Sequence, residues 1–144
     1  MVIAINSGSS SGLSLLLGLY RGGRFSYGRA LLSSSIRFSV VLEDIARDLG
    51  CLERIEGLGE VVFEISGLGR FVVTGVCSVD RIVFGGYYID LPIVFHVARQ
   101  VTGERLYEIF IGRELIEQLG ISYDPWAKSI RSRFIKRVSL DTLI

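Results

Sequence analysis

The chain has 144 residues, 49% of them hydrophobic, and a formal net charge of +1. That length supports one domain with a real core, and that composition excludes a disordered chain. The balanced charge gives no global reason to expect nucleic acid or an acidic partner.

Arginine far outnumbers lysine, which occurs only at Lys128 and Lys136; Asn6 is the sole asparagine, and Gln100 and Gln118 the sole glutamines. Few amides and few methionines suit a thermophilic source, although scarce lysine runs against the usual signal. Val2 to Ile5 suggest a short first strand, and residues 6–12, NSGSSSG, read as a flexible joint. No basic residue precedes this apolar start and a serine-glycine break divides it, so it does not read as a secretory signal. No segment approaches the ~20 apolar residues of a membrane span. A cytoplasmic location is expected.

Leu13–Tyr20 and Phe25–Leu32 are strand-like runs flanking Arg21-Gly22-Gly23-Arg24, a strong hairpin signal. Ala30, Leu31 and Leu32 end the second run, and Ser33, Ser34 and Ser35 form a turn. Ser39 is a candidate N-cap for an amphipathic helix whose Leu42, Ile45, Ala46 and Leu49 share one face, with Gly50 as C-cap. Glu56 to Gly59 read as a loop. Glu60–Ser66 and Arg70–Val79 form a second hairpin about Gly67-Leu68-Gly69, with Phe63 and Ile65 on the period of a half-buried strand. Arg81–Phe84 and Tyr87–Val97 suggest a third, in which Pro92 marks an edge or the start of a new ladder.

Thr102-Gly103 is a turn, and Arg105–Ile111 reads as a strand. Arg113–Leu119 is a short helix ended by Gly120, with Leu115, Ile116 and Leu119 inward and Arg113 placed to pair with Glu117. Ile121–Asp124 is a strand, Pro125–Lys128 a turn and Ser129–Ile135 a returning strand. The two helical stretches echo each other: LEDIARDLG (Leu42 to Gly50) and GRELIEQLG (Gly112 to Gly120) match in phase and in their terminal Leu-Gly. Two halves on one plan, or coincidence between two amphipathic helices, would both give this pattern.

At this point the chain resembles the retropepsin-like aspartic proteases. The resemblance rests on the apolar strand end at Ala30–Leu32 and on Val40–Gly50, the helix ending in Leu49-Gly50. It rests equally on Phe110, Ile111, Gly112 and Arg113, then Glu114, Leu115, Leu119, Gly120, Ile121 and Asp124. It spans roughly residues 13–135, dividing the chain into an N-terminal segment (1–12), the domain and a C-terminal tail (136–144). The resemblance implies a mostly-β fold, a closed barrel-like lobe with two short helices. It also implies that Ser66, Gly67, Leu68 and Gly69 form a peptide-binding flap and that two copies pair as a homodimer.

The departure lies at the triplet. Ser33, Ser34 and Ser35 stand where the family carries Asp-Thr/Ser-Gly, and in that family an aspartate from each protomer shares a proton to activate water. A serine hydroxyl stays protonated and cannot act so. Asn6-Ser7-Gly8-Ser9 is an alternative triplet with an amide in place of the acid, but it lacks a hairpin before it and a helix behind it. Glu43 and Asp44 suit a helix start, Asp80 and Asp90 hairpin ends, and Asp124 a strand end.

The expectation is therefore a catalytically inactive homodimer that binds an extended peptide or serves as a structural module, without cofactor or metal. Two other readings stay open: an endopeptidase of unrecognised mechanism, and a nucleic-acid binder using Lys128, Arg131, Arg133, Lys136 and Arg137. His96, on an apolar strand, reads as structural, since no nucleophile elbow supports a triad with Ser33 or Ser34. Gly57-Leu58-Gly59 and Gly67-Leu68-Gly69 are turns, not phosphate loops. Cys51 and Cys77, without Cys-x-x-Cys spacing, read as free buried thiols, with a disulfide as the alternative.

Overall fold

Glycine pairs place the first turns. In the computed structural model, which describes residues 2–5, 12–51, 61–124, 126–127 and 129–137, Gly22 and Gly23 both take positive φ. They join β2 (Leu13–Arg21) to β3 (Arg24–Leu32) in the register Arg21 to Arg24. β4 (Val40–Leu42) leads straight into helix α1 (Glu43–Asp48), with Glu43 and Asp44 in its first turn. The second hairpin pairs β5 (Val61–Ile65) with β6 (Gly69–Val79), and β5 also takes up β1 (Val2–Ile5) in parallel.

The expected third hairpin is shorter than the sequence suggested. β7 (Arg81–Phe84) pairs with β8 (Tyr87–Ile89), and the run then breaks before β9 (Ile93–Gln100). Pro92, with no N–H to donate, starts that new ladder. The strand expected over Arg105–Ile111 contracts to β10 (Ile109–Ile111), which leads into helix α2 (Arg113–Gln118). Arg105 pairs instead with Asp44. β11 (Ser122–Asp124) and β12 (Ser129–Arg131) form a small separate sheet, and β13 (Ile135–Arg137) pairs with β8.

The main sheet runs β1-β5-β6-β9-β4-β10-β3-β2-β7-β8-β13. The fold is mostly β, and among the described residues no pairing joins the two ends of this sheet. The order is symmetric about its middle. β4 and β10 pair antiparallel; β9 and β3 flank them in parallel; β6 and β2 follow antiparallel. The sequence echo is therefore a repeat in the fold. Both helices end in the same reversal: Leu49 and Leu119 have φ −86 and −89. The amides of Cys51 and Ile121 each reach back to a carbonyl five residues earlier, at 2.8 Å.

Two apolar clusters hold the sheet. The larger contains the inward faces of both helices with Leu17, Leu19, Ile82 and Phe95. The smaller joins Leu31, Ile36, Val40, Phe63, Ile65, Leu68, Phe71 and Phe110. Phe63 stacks on Phe71 at 5.2 Å, and Phe71 meets Phe110 edge-on at 5.4 Å. Each fully buried phenylalanine stabilises by roughly 1.5–3 kcal/mol, so these three rings fasten the β5–β6 hairpin to the centre of the fold.

Three local readings are corrected. Cys51 and Cys77 are joined in a disulfide, their Cα atoms 5.5 Å apart. The reversal after α1 turns Cys51 back towards β6, a proximity that linear spacing cannot reveal. Ser39 does not cap α1, whose N-cap is Leu42 without a side-chain bond. Among the described residues the ion pairs are Arg29–Glu108, Arg81–Asp90 and Arg105–Asp44, so Arg113 and Glu117 do not pair. The loop over Glu56 to Gly59, the alternative triplet Asn6 to Ser9 and Lys128 lie outside the described residues.

Candidate functional site

The serine triplet starts the bend between β3 and β4. Because β3 runs parallel to β10, the ladder carries one residue further: Ser33 N–H donates to the Ile111 carbonyl at 3.0 Å. The bend then turns on itself. Ile36 N–H donates to the Ser33 carbonyl at 3.2 Å, and Ser35 N–H to Ser33 Oγ at 3.2 Å. Ser33 is 1% exposed.

The second half of the chain grips this bend at each step. Arg113 Nε donates to the Ser34 carbonyl at 3.0 Å, and Arg113 N–H to the Ile36 carbonyl at 2.7 Å. Ser34 N–H donates to Tyr123 Oη at 3.1 Å, with the two hydroxyl oxygens 3.5 Å apart. Ser39, fully buried, accepts the Gly112 N–H at 2.9 Å, while its own N–H donates to Glu114 Oε1 at 3.4 Å. A Cβ at Gly112 would stand 2.5 Å from the Phe38 carbonyl oxygen and 2.8 Å from that of Ile36. Only glycine lets the bend lie this close. Phe110, Ile111, Gly112 and Arg113 thus all meet the triplet region, through the small cluster, a carbonyl, an absent side chain and a guanidinium.

Sequence reasoning passed over Tyr123 and misassigned Ser39. Tyr123 had a signal available, as a half-buried aromatic in a short strand otherwise polar. Ser39 looked like a helix cap because the local rule counts only nearby residues, whereas its true partner is 73 positions away. Asp124 is at a strand end as expected, its carboxylate accepting the N–H groups of Trp126 and Ala127. Asp80 accepts the Gly22 N–H, and Asp90 holds Arg81, raising the guanidinium above its ordinary value mainly through that hydrogen bond.

At the β5–β6 hairpin, Ser66 and Gly67 are exposed and Leu68 is buried. An open groove of about 420 Å³ is lined in part by Asp44, Arg47, Arg99, Gln100, Gly103 and Arg105. His96 lies on β9 with its ring edge-on to Phe38 at 5.5 Å. The basic run is divided: Arg131 ends β12, Arg133 lies over Phe134 at 4.8 Å, and Lys136 sits within β13. Among the described residues no group of three His, Cys, Asp or Glu could hold a metal ion, and no helix is long and apolar enough to cross a membrane.

No protein-family model matches the sequence, and no curated protein matches it. Solved structures do. The retroviral protease-like domain of Ddi1 from Leishmania major superposes with a TM-score of 0.58 at 16% identity, covering 92% of this chain and 96% of that one. The chain has a retropepsin-like fold.

Proposed function

We propose that this chain is a catalytically inactive, aspartic protease-like homodimer that binds an extended peptide between the serine bend and the β5–β6 hairpin. The observation that carries the proposal is the buried Ser33 hydroxyl accepting the Ser35 N–H. A hydroxyl in that place keeps its proton and offers an attacking water no negative charge, so a pair of such turns lacks the shared proton of an acid dyad. The same substitution removes the repulsion between two close carboxylates. Two copies of the bend can then meet across a dyad through Ser34, which is exposed. One lobe supplies half a cleft, and a two-fold axis supplies the other half. Peptide binding would proceed by main-chain pairing along the hairpin.

A cytoplasmic location remains part of the proposal. A disulfide there is the exception that intracellular proteins of hyperthermophiles provide.

The test is proteolysis of β-casein from pH 3 to 7. The native chain is expected to leave it intact, and the triple variant Ser33→Asp, Ser34→Thr, Ser35→Gly to gain cleavage with an acid optimum. Cleavage by the native chain that Ser33→Ala abolishes would overturn inactivity. Sedimentation showing only monomer at micromolar concentration would overturn the dimer.

A further inference from the structure

A residue at the tip of a hairpin ordinarily faces solvent. Leu68 does not. It follows the β5 strand in a tight turn, its N–H bonded to the Ile65 carbonyl at 2.9 Å, and it is 9% exposed. Its flanking glycines take φ values of +82 and +132, conformations that let the turn fold its one apolar side chain back under itself. There Leu68 joins the cluster containing Leu31 and Ile36, which bracket the serine bend, and Phe110, which precedes Gly112.

The tip is fastened to the loop after β9 from outside the β5–β6 ladder. Gln100 Nε2 shares its two N–H groups among three acceptors, the Leu68 carbonyl at 3.2 Å, the Thr102 carbonyl at 3.2 Å and the Glu104 carbonyl at 2.9 Å. Arg70 N–H donates to Thr102 Oγ1 at 3.0 Å. The two backbones touch, because a Cβ on Gly69 would overlap the Thr102 carbonyl and one on Gly103 the Leu68 carbonyl. A leucine needed only for the core would require no such clamp. One side-chain amide serving three carbonyls is a fastening that a competing carbonyl can take over.

We infer that Leu68 is an internal occupant of the peptide site: it fills the apolar space between hairpin and serine bend, and Gln100 latches it there. The inference rests on the peptide-binding reading above and narrows its ligand. The incoming chain is extended, places an apolar side chain of about leucine size where Leu68 lies, and offers a main-chain carbonyl to the Gln100 amide. Binding then exchanges one leucine and one carbonyl for their equivalents, and the latch sets the threshold affinity.

Two measurements on the full-length chain decide it. Amide hydrogen exchange reads the latch without ligand. The amides of Leu68 and Arg70 are expected to be protected in the native chain and to exchange at least tenfold faster in Gln100→Ala, with β9 unchanged. Unprotected tip amides in the native chain would overturn the latch. Fluorescence anisotropy with labelled β-casein, an unfolded apolar chain, reads the site. Gln100→Ala and Leu68→Ser are both expected to bind it at least tenfold more tightly than the native chain. Equal binding by all three would overturn the plug and leave the peptide-binding reading standing. No binding by any of them, with the tip protected, would overturn that reading and the plug's role with it.

Discussion

Breaking the bond between Cys51 and Cys77 should cost far more than deleting any single surface contact. The bridge closes a loop of 26 residues. The loop-closure relation for the unfolded chain then gives about 3.5 kcal/mol at 25 °C. Unfolding a chain of 144 residues releases roughly 0.3 kcal/mol per kelvin, so the expected fall in melting temperature is about 12 °C. Cys77 is 1% exposed, and replacing it would add a packing loss to the loss of the cross-link. The cleaner perturbation is therefore reduction of the native chain, which keeps every atom but the bond. Urea unfolding of oxidised and reduced protein supplies the difference, and the reduced form should show the steeper slope because its unfolded chain expands further. A difference below about 1 kcal/mol would refute the entropic reasoning. Two thiols reacting in the folded, unreduced chain would refute the bridge itself.

Ser39→Ala leaves the buried Gly112 N–H without its acceptor, and urea unfolding should show a loss of about 1–3 kcal/mol. Gly112→Ala drives a methyl group into the Phe38 and Ile36 carbonyls; it should cost about 3 kcal/mol or more, or leave no cooperative unfolding transition. Arg113→Lys loses the Nε donor to the Ser34 carbonyl. It should lower stability by about 1 kcal/mol and raise hydrogen exchange at Ser34 and Ile36 above that in the rest of the sheet.

Features fixed by neighbours in sequence were legible. Gly22-Gly23, Gly67-Leu68-Gly69, the faces of both helices and the alternation of Phe63 and Ile65 all follow local rules of turn chemistry and periodicity. The fold class could be read too, because the two Leu-Gly helix endings and the Ile-Gly-Arg sequence impose their own geometry. What stayed hidden depends on distant partners. Nothing near Ser39 says that its hydroxyl belongs to Gly112, and nothing near Gln100 says that its amide closes on a hairpin. Arg105 to Glu108 looked like strand because Leu106 and Tyr107 lead into the apolar run Ile109–Ile111. The ladder admits only Ile109–Ile111, since β10 is held between β3 and the three-residue β4. The serine bend was half legible. Its place was visible from the flanking motif, whereas the burial of Ser33 requires the fold.

That burial bears on how a serine can occupy the position at all. A lone carboxylate that is 1% exposed would need a partner to share its proton or several donors to hold its charge. Ser33 needs neither, since one backbone N–H satisfies it as acceptor. The turn therefore needs no second copy to settle the state of a charge. The grip that remains, from Arg113, Tyr123, Ser39 and Gly112, lies within one chain. It is built from groups that orient the bend through backbone and hydroxyl contacts. A neutral hydroxyl at the centre of this scaffold lets the bend close on itself without a buried charge.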